Sequence, residues 1–189
     1  PINLTNHFLI AMPGLSDELF GRSVVFMCEH SERGALGLVI NKPGDIRLAQ
    51  LFDKVELSLG RQELAEQPVF LGGPVQTERG FVLHEAVEGA EGESVYASTL
   101  SIPGGLEMTT SKDVLEAMSS AQGLCHPGLC IVGAGAAGVG NHREQLADRR
   151  GRPQSDLRCP GGRTLRPRDG LAGSEIVDAV TRCRACLNT

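Results

Sequence analysis

The sequence has no tryptophan and a single tyrosine, and its aromatic residues stop early. Phe8, Phe20, Phe26, Phe52, Phe70, Phe81 and Tyr96 all precede residue 97. Aromatic side chains supply much of a core's buried area, so the second half of the chain is poorly equipped to build a core of its own. Lysine ends at Lys112, whereas ten of the 15 arginines lie beyond residue 140. No apolar run reaches the length of a membrane-spanning helix. The opening stretch, PINLTNHFLIAMPG, lacks the basic start and long apolar centre of a secretory leader. The cytoplasm is the expected compartment, and a reducing compartment argues against pairing the six cysteines as three disulfides.

Charge is divided as sharply as the aromatics. Residues 1–140 carry 8 Lys and Arg against 17 Asp and Glu, a net of −9, and residues 141–189 carry 10 against 6, a net of +4. An acidic body does not suit direct nucleic acid binding, which rests on clustered cations facing phosphates.

What is present reads as short strands with a few helices. His7–Met12 is an apolar run closed by Pro13-Gly14, which reads as a short strand, and Ser16 is placed to cap a turn over Asp17-Glu18-Leu19-Phe20. SVVFMCEH (23–30) and ALGLVIN (35–41) are separated by four residues ending in Gly34, which predicts an antiparallel hairpin. Leu48, Leu51, Phe52 and Val55 recur at helical spacing, so residues 47–56 should form an amphipathic helix. Residues 69–71 and 80–83 read as a second strand–loop–strand unit joined by GGPVQTER, residues 85–93 as a loop, and residues 95–100 as a further strand. TTSKD (109–113) caps a helix carrying Val114, Leu115 and Met118 on one face. Strands outnumber helices and come in adjacent pairs, which favours an α+β fold over a doubly wound one.

Three blocks carry a family likeness: HFLIAMPGLSDELFGRSVVFMCEHSERGALGLVINKP (7–43), GGPVQTERGFVLH (72–84) and TTSKDVLEAM (109–118). In this order they resemble the AlgH/YqgE family of bacterial transcriptional regulators. The resemblance implies one domain over residues 1–118, with a mixed, barrel-like β-sheet and helices packed outside. It implies a regulatory association and no particular chemistry. Past Met118 such a protein continues with a GxGP turn, a strand leading into LGYAGWGAGQLE, and then NxWLTxxADPxxIFDxP, none of which stands here. Displacing residues 145–173 by one nucleotide, with GC-rich codons, permits NWLTVAADPKVIFDVPVAERFDRAMAWLG, the family's own ending. Residues 119–189 are therefore expected to be an aberrant, frameshifted and irregular segment.

The polar candidates upstream of that segment are few. In the loop after residue 71, Gly72 and Gly73 expose backbone N–H groups, and Gln76, Thr77 and Arg79 add side chains suited to an anion or another chain. Lys112 and Asp113 open the last helix, and His30 and Asn41 end the two strands of the hairpin at opposite ends, so they need not form one site. Cys28 and His30 are two apart on one strand, which reads as a buried structural thiol beside a surface imidazole. VGAGAAG (132–138) fits GxGxxG, but Asp156, at the right distance for a ribose partner, follows RGRPQS, which is no buried strand. A glycine-rich loop is expected there. Cys125, Cys130, Cys159, Cys183 and Cys186, with His126 and His142, include one pair at a standard zinc spacing, Cys183 and Cys186, whose would-be partner pair is too far along the chain.

No metal, cofactor or catalytic set is expected. The favoured function is a regulatory or adaptor protein contacting another protein or a small molecule, with no membrane partner. An enzyme with a polar site near Gly72 to Arg79 is the first alternative and direct DNA binding the second. Resequencing the gene is expected to find one inserted or deleted nucleotide upstream of codon 145. A confirmed frame, with an intact-mass product ending at Thr189, would refute that displacement.

Overall fold

The computed structural model describes residues 3–11, 14–87, 94–120, 131–139, 157–158 and 164–165. The hairpin forms as expected. β1 (Phe8–Ile10) pairs with β2 (Val24–Ser31), which turns at Ser31 and Gly34 into β3 (Gly34–Val39). A bulge between Met27 and Glu29 shifts the β2–β3 register beside Cys28. The turn before β2 is held by Asp17 and not by Ser16: the N–H groups of Leu19 and Phe20 donate to Asp17 Oδ1 at 2.9 and 2.6 Å. A carboxylate accepts two donors at once, which a hydroxyl does less strongly.

β4 (Pro43–Arg47) leads into α1 (Leu48–Lys54), where Arg47 N donates to Gln50 Oε1 at 2.8 Å and Lys54 sits at the negative end. Leu48 and Phe52 are buried, as the spacing requires. After a 3-10 turn at Gln62–Leu64 come β5 (Pro68–Leu71) and β6 (Val75–Glu85), then β7 (Thr99–Ile102), β8 (Leu106–Thr109) and α2 (Lys112–Ser119). β6 is far longer than the run 80–83 suggested, and β7 begins four residues later than the expected strand. β8, and its antiparallel pairing with β7, were not read from the sequence.

The largest departure is β9 (Ile131–Val139). The GxGxxG segment is neither a loop nor a nucleotide turn but a strand in the middle of the sheet. One edge of β9 pairs antiparallel with β6; the other pairs antiparallel with β3 and parallel with β5. β5 and β6 therefore do not form a hairpin with each other: each is paired to β9. The sheet also draws on residues beyond the boundary expected at Met118. A small antiparallel ladder of β10 (Leu157–Arg158) and β11 (Thr164–Leu165) stands apart from it.

The sheet is mixed, with order β1-β2-β3-β9-β6-β8-β7 and with β4 joined through β5, so the fold is α+β. It is not a closed barrel, because the path ends at β1 and β7. It is nonetheless curled: Phe8 of β1 and Ile102 of β7 share one core with Val24, Phe26, Cys28, Leu38, Phe81 and Leu83. Alternation along the strands sends the intervening residues elsewhere. Val69 and Val82 enter a second core with Leu48 and Phe52 of α1 and Val114, Leu115 and Met118 of α2. Val25, Met27 and Val39 form a third beneath Leu4 and Phe20.

Glycine at 135 is required twice over. Its φ is +77°, and a Cβ there would run into the carbonyl oxygen of Gly73. Gly135→Ala is expected to cost about 1–3 kcal/mol, the usual range for a side chain forced into a left-handed conformation. Gly80→Ala, where a Cβ meets nothing within 4 Å, should stay within about 0.5 kcal/mol. Urea unfolding midpoints of the two variants measure the difference.

Candidate functional site

A cleft opens where the second core reaches the surface. Its floor is apolar: Leu51 and Val55 at the end of α1, Val82 of β6 and Leu115 of α2. Its rim is polar. β6 contributes Glu78, Arg79 and Gly80, the segment before β7 contributes Ser98, and the start of α2 contributes Thr110, Ser111 and Lys112. The cleft holds about 500 Å³, within the size range of small-molecule sites.

Local chemistry explains how the rim is held. Ser111 is the N-cap of α2, and its Oγ accepts from Asp113 N at 3.2 Å. Ser98 has a φ of +55°, and its carbonyl accepts from Thr110 N at 3.3 Å, tying the segment before β7 to the helix start. Lys112 Nζ donates to the Val55 carbonyl at 3.4 Å, a long contact that brings its charge to the negative end of α1. Arg79 is exposed and makes no hydrogen bond or ion pair within the described residues.

Two of the polar residues singled out in the sequence, Arg79 and Lys112, meet in this cleft. Asp113 is exposed in the first turn of α2 beside it. Gln76 and Thr77 lie exposed on β6 outside the lining, Gln76 with a φ of +53°. Gly72 and Gly73 serve packing: the Gly72 carbonyl accepts from Val39 N at 2.8 Å, and both glycines lie against β9 at Gly133 and Gly135. Asn41 is a clamp, accepting from Val24 N at 2.7 Å and donating to the Arg22 carbonyl at 2.8 Å. His30 holds the N-terminal segment, its Nδ1 accepting from Leu4 N at 3.1 Å and its N–H donating to Thr5 Oγ1 at 2.9 Å. Cys28 is buried, and burial pushes its thiol up to about 12, far from a nucleophile's range. Among the described residues no group of three or more metal-ligating side chains converges. Cys125, Cys130, Cys159, Cys183, Cys186, His126 and His142 lie outside them.

Sequence reasoning missed Ser98, Thr110 and Ser111 as rim residues. Ser111 carried a cap signal, but Ser98 had none, because its conformation is imposed by the strand pairing that follows. It also missed a buried polar chain behind the rim. His84 is 1% exposed; its Nδ1–H donates to the Glu85 carbonyl at 2.7 Å, and its Nε2 lies 2.9 Å from Thr109 Oγ1. Thr109 Oγ1 is 2.8 Å from Thr99 Oγ1, which lies 2.9 Å from the Tyr96 carbonyl. The Tyr96 ring packs edge-on to His84, and buried Glu107 accepts from Ser94 Oγ at 3.0 Å.

Known proteins place the chain. The model of the AlgH-like family matches residues 8–148. The chain belongs to the AlgH-like family. It is 66% identical over 149 residues to a UPF0301 protein of Polaromonas sp., covering 78% of this chain and 74% of that one. A UPF0301 protein of Acidovorax sp. is 64% identical over 151 residues, at 78% and 75% coverage. The solution structure of the AlgH protein from Pseudomonas aeruginosa superposes with a TM-score of 0.60 at 34% identity, covering 100% of this chain and 91% of that one. A crystal structure from Corynebacterium diphtheriae shares the fold at 19% identity, with a TM-score of 0.54. The family match, over residues 8–148, includes β9.

Burial holds the His84 imidazole below its ordinary range, outweighing the Glu85 carbonyl and the Glu107 charge, which raise it. The folded protein then binds fewer protons than the unfolded chain as acid is added. Its contribution to stability is complete above about pH 6.5, the unperturbed imidazole value, and falls as pH drops through the folded value. Urea unfolding at stepped pH should show that loss, and His84→Gln should flatten it.

Proposed function

We propose that the chain is a regulatory or adaptor protein that recognises a small ligand in the cleft between α1 and α2 and passes that state to a protein partner. The observation that carries this reading is the cleft itself. It joins Arg79 from the block at 72–84 and Lys112 from the block at 109–118, far apart in sequence, over one apolar floor. Apolar floor with a few convergent polar groups is the usual build of a ligand site.

Binding suits the rim better than catalysis. Its hydroxyl at Ser111 is committed to the helix cap, and the imidazole of His84 is committed within the polar chain behind it. The enzyme reading rests on Glu78 as the rim's carboxylate, beside the hydroxyls of Ser98 and Thr110. Direct DNA binding ranks below both, since residues 1–140 carry a net charge of −9. The cytoplasm is the proposed compartment.

We also propose that residues 145–173 are read from a displaced frame. The end of the family match at residue 148, near the start of that segment, supports it.

Gly80→Trp tests the cleft. A Cβ at 80 meets nothing within 4 Å, and alternation sends its side chain to the same face as Val82, over the floor. A ligand at a hundred times its Kd stabilises a site by about 2.7 kcal/mol, which is roughly 5–10 °C in melting temperature for a protein of this size. Screened against a metabolite collection, the wild type should show such shifts and Gly80→Trp should not. Equal shifts in both proteins would remove the cleft from the function.

A further inference from the structure

The chain of contacts from His84 to Tyr96 contains one more contact than the neutral state has protons to fill. A backbone carbonyl only accepts, so the 2.7 Å contact between His84 Nδ1 and Glu85 O fixes the neutral tautomer: Nδ1 carries the proton and Nε2 is an acceptor. Beyond Nε2 lie three contacts of hydrogen-bond length, at 2.9 Å to Thr109 Oγ1, 2.8 Å on to Thr99 Oγ1 and 2.9 Å on to the Tyr96 carbonyl. Two hydroxyl protons serve them. Thr109 must donate to Nε2, and Thr99 must divide its proton between the Tyr96 carbonyl and Thr109.

Protonation of Nε2 removes the shortfall. The imidazolium donates to Thr109, Thr109 donates to Thr99, and Thr99 donates wholly to the Tyr96 carbonyl, giving one proton per contact in one direction. No bond other than the new N–H is made, and the proton comes from solvent. The far end of the chain is the segment carrying Ser98, which lines the cleft and accepts from Thr110 N at its rim.

We infer that His84, Thr109 and Thr99 form a proton-linked positioning device that sets the wall of the cleft at residues 96–99. Resting on the ligand-binding reading of the cleft, it makes that site responsive to acid. The groups around the imidazole oppose one another. Burial of the imidazole, which is 1% exposed, disfavours the charge. Glu107 on β8 and the Glu85 carbonyl on β6 favour it. Asp113 on α2 acts on Tyr96, whose hydroxyl is raised by burial first and then by Glu107 and Asp113. His84 and Thr109 are positioning residues, since neither lines the cleft.

The test is a pH titration of the full chain labelled with nitrogen-15, following the His84 ring nitrogens and the backbone amides together. At neutral pH, His84 should show a protonated Nδ1 and a bare Nε2. As pH falls, Nε2 should gain its proton, and the amides of Ala97, Ser98, Thr99 and Thr110 should shift with the same midpoint. Thr99→Val should leave the His84 titration in place and uncouple those amides, and Thr99→Ser, which restores the hydroxyl, should recouple them. The inference is overturned if the protonated neutral nitrogen is Nε2, if His84 takes no proton before the protein unfolds, or if the amides follow His84 equally well in Thr99→Val. No ligand enters this measurement, so its failure would leave cleft binding standing. Loss of the Gly80→Trp effect would likewise leave the proton chain standing.

Discussion

The sheet depends on the close approach of a glycine-rich strand to a glycine turn. β9 has β6 along one edge and β3 and β5 along the other, so it joins in one sheet three strands that do not pair with one another. Where it passes the turn after β5, Gly133 and Gly135 face Gly72 and Gly73 at backbone contact. A Cβ at 135 would strike the Gly73 carbonyl, whereas one at 133 would touch Gly72 at ordinary van der Waals distance. Gly135 further takes a conformation that other residues adopt only under strain. The cost of glycine in a strand is lost chain entropy and lost packing, and here it is offset by ladder hydrogen bonds to both neighbours. The glycine pair of GGPVQTER is thus half of a packing contact whose other half lies about sixty residues onward, at Gly133 and Gly135.

Local features were legible in the sequence and long-range pairing was not. α1 followed from four apolar residues at helical spacing, the β2–β3 hairpin from two β-rich runs around a glycine turn, and α2 from the cap at Ser111. Each is decided by residues near one another in the chain. The partners of β5 and β6 are decided elsewhere: a short apolar run, a glycine loop and another apolar run read as a strand–loop–strand unit, and nothing in it shows that β9 stands between the two strands. β9 itself was concealed because glycine and alanine give no strand signal, and the same glycines imitate a phosphate loop. Asp17 outcompeted Ser16 for the turn because both orphan N–H groups reach one carboxylate oxygen.

Polar residues divided in the same way. Asn41 and His30 looked like candidates because they are polar at strand ends, yet strand ends are also where backbone groups lose their ladder partners. Asn41 replaces those partners for Val24 N and the Arg22 carbonyl, and His30 does so for Leu4 N. Arg79 and Lys112 differ because the fold asks little of them: one makes no bond within the described residues, and the other makes only a long contact to Val55. A charged side chain held at a concave surface without a structural partner keeps its hydrogen-bonding capacity for something else. That distinction needs the structure, since it depends on which donors and acceptors are already matched.

The two walls of the cleft are fixed by different forces. Leu51, Val55, Val82 and Leu115 are placed by apolar packing in the second core, which is indifferent to pH. Ser98 is placed by a turn whose stability rests on hydrogen bonds running through Thr99 and Thr109 to a buried imidazole. A buried polar group left without its partner costs about 1–3 kcal/mol, so an incompletely protonated chain is a local weakness and a completed one a local brace. The same low-dielectric surroundings that strengthen those bonds penalise the charge that completes them. A fold that needed only rigidity at Tyr96 to Thr99 would be served by an apolar residue at position 84. A histidine there, with its second nitrogen aimed along a hydroxyl chain toward the rim, makes the geometry of one wall depend on a proton while the floor stays where it is.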